Sequence, residues 1–334
     1  MTRSAIALFS GGLDSMLAIR MMQVQGIQVR ALHFVSPFFG SPLDPEAGKY
    51  NARRAADSLG VPLSVITLGN DYLEMLRQPR HGYGKAVNPC VDCHTWFFRV
   101  ARELMAEHGA SFAVSGEVLG QRPMSQRRDN LLVVERESGL AGLLLRPLSA
   151  QLLPPTIPER EGWVDRELLG AIQGRSRKEQ MRLAKELELP EYPTPAGGCL
   201  LTELSYAPKV RDIFTHTEQL QPRDFQLLRV GRHFRLGPRT KVVISRNEAE
   251  NLLLEGVVRP GEATLRWLEG GSPVGLVTGE LDEELLVTAA KLLLRYTKAE
   301  PGRECAVQVT VDGDERTFPV VNDCTEALVD KFRV

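Results

Sequence analysis

Through residue 205, short apolar runs bounded by turn residues alternate with longer amphipathic stretches. Residues 5–9, 28–35, 62–68 and 111–116 have the length and side-chain content of buried strands. Residues 16–22, 46–59 and 96–108 carry helical spacing, and Gly60 and Gly109 close the last two. This alternation predicts an α/β domain on a parallel sheet, with a ligand site outside the carboxyl ends of the strands. Pro154, Pro155 and Pro158 predict a break, after which 163–170 and 176–187 read as helices. Pro190, Pro193 and Pro195 then predict an extended loop leading to Gly197, Gly198 and Cys199.

From residue 206 the texture changes. Short strands at 232–236, 241–245, 263–268, 274–278, 305–311 and 317–321 mix with helices at 248–254 and 280–296. Two domains are expected, an α/β domain over 1–205 and a small α+β domain over 206–334. The 334 residues are 43% hydrophobic and 25% charged with a formal net charge of −1, so global charge points to no nucleic acid and any RNA contact must come from local patches. No apolar run reaches membrane-spanning length and the first residues lack a signal-peptide pattern. An odd count of five cysteines favours metal or redox chemistry over a disulfide framework. A cytoplasmic protein without a membrane partner is expected; the oligomeric state is left open.

Between the first strand and the first helix stands Ser10-Gly11-Gly12-Leu13-Asp14-Ser15. Adjacent glycines let backbone amides approach an anion, and the helix start favours phosphate. Ser10 and Ser15 offer hydroxyls, and Asp14 suits Mg²⁺ on the phosphates. The lysine of a Walker loop is missing. The six residues resemble the SGGxDS signature of the PP-loop ATP pyrophosphatases, which split ATP between its α and β phosphates and activate a substrate oxygen as its adenylate. The resemblance implies ATP and Mg²⁺ at Ser10, Gly11, Gly12, Asp14 and Ser15, with Asp14 catalytic. It also places His33, through its backbone, and Phe34 near adenine.

Cys90 and Cys93 stand at C-x-x-C spacing just before the helix at Trp96, where a helix N-terminus lowers thiol pKa. Cys199 adds a third thiol from a Gly-rich turn. Three cysteines suit three irons of a [4Fe–4S] cluster, leaving the fourth iron open to sulfide or substrate. A relay in which Cys199 carries a persulfide and one of the pair resolves it is the competing reading. Zinc needs a fourth ligand, and His94 beside Cys93 is a poor geometric candidate. Cys305 and Cys324 read as small buried apolar residues.

Ser115-Gly116-Glu117-Val118-Leu119-Gly120-Gln121, continuing to Met124-Ser125-Gln126, resembles the GExLGQxxSQ stretch of tRNA 4-thiouridine synthases. Leu144-Leu145-Arg146-Pro147-Leu148 is similar to the LRPL segment that follows there. The resemblance implies that Ser115, Gly116 and Glu117 lie near the nucleotide. Asn88-Pro89-Cys90 and the later Cys199 are similar to the paired cysteines of tRNA 2-thiouridylases. In both families the late cysteine handles sulfur, which implies catalytic roles for Cys90 and Cys199. Some 4-thiouridine synthases bind a [4Fe–4S] cluster on a set that Cys90, Cys93 and Cys199 match. The resemblance covers about residues 4–205 and departs in two ways. The chain opens on the loop strand without the THUMP region of 4-thiouridine synthases, and no rhodanese segment is recognisable, so the sulfur donor is open between free sulfide and a persulfide carrier.

Residues 228–236 and 241–248 resemble an NFACT-R type RNA-binding domain. Residues 225–247 hold six Lys or Arg and no Asp or Glu, although 206–334 carries 18 basic against 20 acidic residues. Basic strands carrying an aromatic suit phosphate contact and base stacking. The combined expectation is an ATP-dependent tRNA thiouridine synthase. It would adenylate a uridine carbonyl oxygen and replace it with sulfur from the three-cysteine, Fe–S centre. A PP-loop amide ligase or small-molecule thiolase is the alternative that the basic hairpin opposes. A non-catalytic RNA-binding protein is the one that Asp14 and the cysteines oppose.

Overall fold

A computed structural model describes residues 3–39, 47–189, 192 and 198–334. The chain divides into two compact units, Met1–Thr202 and Glu203–Val334.

In the first unit the order is β1 (Ser4–Leu8), α1 (Leu13–Val24), β2 (Gln28–Val35), α2 (Ala47–Leu59), β3 (Leu63–Thr67), α3 (Asn70–Arg77), α4 (Cys90–His108), β4 (Phe112–Ser115), α5 (Arg128–Glu137), β5 (Leu144–Leu145), α6 (Ile157–Arg160) and α7 (Lys178–Glu186). The strands form one parallel sheet in the order β3-β2-β1-β4-β5. Strand β1 is covered on both faces, which is why its sequence is a continuous apolar run. Ala5 and Ala7 pack with α1 and α2, while Ile6, pointing the other way, packs with Phe98, Ala101 and Met105 of α4. Strand order reverses between β1 and β4, and in such sheets the ligand crevice opens beyond the strand ends at that point.

Three local expectations are corrected. Helix α4 begins at Cys90 rather than Trp96, so both cysteines lie inside it. Residues 163–170 do not form a helix; a single 3₁₀ turn spans Arg166–Leu168, and Asp165 caps it by accepting from the Glu167 amide at 2.9 Å. The proline-rich break instead starts α6, because Thr156 and Glu159 make a capping box and Pro158 tolerates the first turn. Pro190, Pro193, Pro195 and Gly197 fall outside the described residues.

The second unit runs α8 (Ala207–His216), α9 (Pro222–Leu227), β6 (Arg232–Gly237), β7 (Thr240–Ile244), α10 (Glu248–Glu255), β8 (Ala263–Trp267), β9 (Gly275–Thr278), α11 (Glu283–Leu294), β10 (Glu304–Val311), β11 (Asp314–Val321) and α12 (Glu326–Phe332). Its six strands pair antiparallel in the order β11-β10-β8-β9-β7-β6, making the expected α+β unit. Leu286, Ala289, Ala290 and Leu293 of α11 pack with Phe234, Val242, Leu265 and Val307 of the sheet. Among the described residues, no helix is long and apolar enough to cross a membrane.

Candidate active site

Helix α1 starts at Leu13 with Gly12 as an extended N-cap, and its first-turn amides have no carbonyl partner within the helix. Gly11 takes φ +77°, and a Cβ there would stand 3.2 Å from Ala52 Cα, so glycine suits the position twice over. The Gly12 amide donates to Ser10 Oγ at 3.3 Å, and Ser15 Oγ donates to the Gly12 carbonyl at 2.9 Å. Asp14 Oδ2 accepts from Gln121 Nε2 at 3.2 Å, while its Oδ1 is buried with no hydrogen-bond partner among the described residues. An orphaned carboxylate oxygen beside free helix amides fits Mg²⁺, a hard cation that takes oxygen ligands.

The turn after β4 presses on this loop. A Cβ on Gly116 would lie 2.6 Å from both Asp14 C and Ser15 N, so only glycine permits the contact. Next to it, Glu117 is buried, with Oε1 accepting from His94 Nδ1 at 2.7 Å and Oε2 from Arg146 Nε at 2.9 Å. Burial alone would raise this carboxyl, but the Arg146 charge and the His94 bond outweigh it and bring its pKa down to about 2. Arg146 also donates to Glu135 Oε2 and to the Leu131 carbonyl, both at 3.1 Å. The arginine of the LRPL segment is therefore the buried cation that keeps Glu117 ionised. Ser149 finishes the turn by donating to the Ile172 carbonyl at 2.7 Å and accepting from the Leu119 amide at 2.9 Å.

Cys90 and Cys93 lie one turn apart at the start of α4. Asn88 Nδ2 donates to Cys90 Sγ at 3.2 Å, a contact the sequence reading missed. Asp92, between the cysteines, accepts from the amides of Arg80 and His81, each at 3.1 Å, and so pins the preceding loop to the helix. Cys93 Sγ meets the hydroxyl of buried Tyr72 at 3.2 Å. Burial pushes the Cys93 thiol far up; the Tyr72 bond opposes this, and Cys199 and Cys90 add to it. The expected lowering by the helix N-terminus does not prevail at this cysteine, because desolvation is the larger effect. Cys199 is seated by the two residues that follow it: the Leu200 amide donates to the Phe38 carbonyl at 3.1 Å, and the Val87 amide to the Leu201 carbonyl at 3.2 Å.

The three thiols are of the right type for iron–sulfur chemistry. Cys90 and Cys199 lie close enough to Cys93 to act on its thiol, and among the described residues no three Cys, His, Asp or Glu are grouped as a ready metal site. At the end of β2, His33 Nδ1 lies 2.9 Å from the Phe9 carbonyl. Phe34 stacks on Phe97 with ring centroids 4.7 Å apart, and Phe97 stacks in turn on Tyr72 at 5.8 Å. This row of rings runs from the strand end to Cys93.

Residues 1–151 match the family described as Thiamine biosynthesis protein (ThiI), and residues 231–333 match the NFACT protein RNA binding domain. A probable tRNA sulfurtransferase of Methanothermobacter thermautotrophicus is 29% identical over 196 residues, covering 58% of this chain and 43% of the relative. A tRNA-specific 2-thiouridylase MnmA of Sulfurimonas denitrificans is 28% identical over 123 residues, 36% of each chain. The chain thus spans less than half the length of these curated relatives. Among solved structures, a 4-thiouridine synthetase–RNA complex with bound ATP aligns with a TM-score of 0.37 at 20% identity, covering 68% of this chain and 52% of that one.

In the second unit the basic hairpin is largely paired within the fold. Arg235 makes two bonds to the Asp212 carboxylate, at 2.9 and 2.8 Å, and Lys241 Nζ adds a third at 2.8 Å. Burial opposes the Asp212 charge, yet these cations bring its pKa down to about 2, while burial brings Lys241 down to about 8. Arg246 pairs with Glu250 and Arg239 with Glu280. Arg232 donates to the Ser245 carbonyl at 3.0 Å and lies 4.2 Å over the Tyr296 ring. Phe234 is fully buried and has no face for a base. The segment lacks acids only along the sequence; in space they arrive from positions 212, 250 and 280.

Proposed function

We propose that this chain is an ATP-dependent tRNA sulfurtransferase that thiolates a uridine. One observation carries the reading: Gly116 lies on the Asp14–Ser15 peptide while Glu117, its neighbour, holds His94 next to Cys93. A phosphate-binding loop and a pair of thiols are thereby tied to the same turn at the end of the sheet. The likeness to a probable tRNA sulfurtransferase and a tRNA 2-thiouridylase, and the match of residues 231–333 to an RNA-binding family, support it.

On this reading ATP lies along Ser10–Ser15. Asp14 holds Mg²⁺, which screens the phosphate charge when bound. A uridine carbonyl oxygen attacks the α-phosphate and pyrophosphate leaves, so the base becomes O-adenylated. The chain contributes position and charge stabilisation rather than a covalent partner. In the relay, the outer sulfur of a Cys199 persulfide bonds to the ring carbon as AMP departs with the oxygen. A thiolate of Cys90 then attacks the Cys199 sulfur, freeing the thiocarbonyl and leaving a disulfide for an external thiol to reduce. No step here passes through a cluster.

The test is incubation of the full chain with bulk tRNA, ATP, Mg²⁺ and either sulfide or a persulfide donor. Nucleoside mass spectrometry should find thiouridine in step with AMP. Pyrophosphate release without thiouridine moves the function to amide ligation or small-molecule thiolation, and tRNA binding without AMP makes the chain an RNA-binding protein. Iron and sulfide counts after anaerobic purification separate the two sulfur centres: a full cluster per chain replaces the relay with the Fe–S reading.

A further inference from the structure

His94 has no part in the reaction just described, yet its surroundings are built with care. Its Nδ1 is 2.7 Å from a buried carboxylate oxygen of Glu117, whose other oxygen is taken by Arg146, itself 3% exposed. A carboxylate committed in this way accepts hydrogen bonds, so Nδ1 carries a proton, and in the neutral ring the Nε2 lone pair is the acceptor that is left. Nε2 has no partner among the described residues, and the side chain keeps 27% of its surface open. The ring adjoins Cys93 in sequence and is bonded to the turn that touches the Asp14–Ser15 peptide. A base that is first adenylated and then thiolated has to lie between these two groups.

Uracil presents an N–H donor at N3, flanked by both of its carbonyls, whereas cytosine presents a lone pair there. A fixed acceptor pairs with the first and faces the second lone pair to lone pair. We propose that His94 selects uracil, its Nε2 accepting the N3–H of the base whose carbonyl is activated. The contact serves thiolation at C2 or C4 alike, since N3 adjoins both. This inference rests on the proposed function.

The test uses the full chain and tRNA transcripts carrying uridine or cytidine at the position found thiolated in the wild type. The wild type should bind the uridine transcript about tenfold or more better, the worth of one well-made hydrogen bond against an unpaired one. His94→Ala should lose that preference and about tenfold in kcat/KM for tRNA, with the KM for ATP unchanged. His94→Gln has an amide that turns either way, so it should thiolate uridine while binding both transcripts equally. A purely structural role would not produce that signature. An unchanged uridine preference in His94→Ala overturns the proposal; if that variant does not fold, full preference in His94→Gln overturns it. A wild type that makes no thiouridine sinks the proposed function and this inference with it, whereas an active wild type with undiminished preference in the variants sinks the inference alone.

Discussion

Gly116 lies against the Asp14–Ser15 peptide with no room for even a methyl group, which would stand 2.6 Å from backbone atoms of both residues. Two motifs about a hundred residues apart are thereby held in one geometry. Gly116→Ala must move either the Ser10–Ser15 loop or the turn after β4. It should weaken ATP binding by at least about tenfold, and overpacking of this sort also costs about 1–3 kcal/mol of stability. Titration with ATP and a denaturation curve measure the two effects.

Arg146 gives the second prediction. Arg146→Met leaves Glu117 and Glu135 facing each other without their buried cation, which should cost about 3–5 kcal/mol. Combined with Glu117→Gln the loss should be smaller than the sum of the single losses, because the second change removes the stranded charge. Urea midpoints of the three variants decide it.

Acid should weaken both units. Glu117 and Asp212 each have a folded pKa of about 2, below ordinary values of 4.5 and 3.8. A depressed acid contributes its stability above the unfolded pKa and loses it as pH falls through the folded one. Urea stability should therefore be level above about pH 5 and fall between about 4.5 and 2, with a shallower fall in Glu117→Gln.

Among the site cysteines, Cys93 should react last. It is buried with its thiol pushed up, whereas Cys90 and Cys199 are partly exposed. Iodoacetamide at pH 8 followed by peptide mass spectrometry should show Cys93 labelled more slowly than the other two, and urea should remove the difference.

In the second unit, Arg235→Ala should act on folding rather than on RNA. Its guanidinium is spent on Asp212, so the melting temperature should drop while the slope of log affinity against log salt for tRNA stays at the wild-type value. A shallower slope would show instead that Arg235 meets phosphate.

The parallel sheet was readable because strand burial on both faces leaves an unbroken apolar run such as 5–9, and turn glycines punctuate it. Local sequence misled where distant residues decide. The helix at Cys90 starts earlier than its apolar pattern, because the first turn is fixed by Pro89 and by Asp92 holding the loop at 80–81. The basic hairpin looked free because Asp212 lies outside the window that was read. In sequence His94 stands out only as a poor metal ligand, since nothing near it announces Glu117. The signal that could have found Arg146 was present, an arginine inside the otherwise apolar segment 143–148, which requires a buried acid.

The hydrogen bond from the Val87 amide to the Leu201 carbonyl sets an order of assembly. During synthesis the chain emerges from its amino end, and the loop at Ser10–Ser15 meets Gly116 as soon as β4 joins the sheet. Residues 200–202, with Cys199 ahead of them, reach Phe38 and Val87 only when the first unit is almost complete. In a nascent chain the Ser10–Ser15 loop can therefore be seated early, whereas Cys199 joins the Cys90–Cys93 turn last.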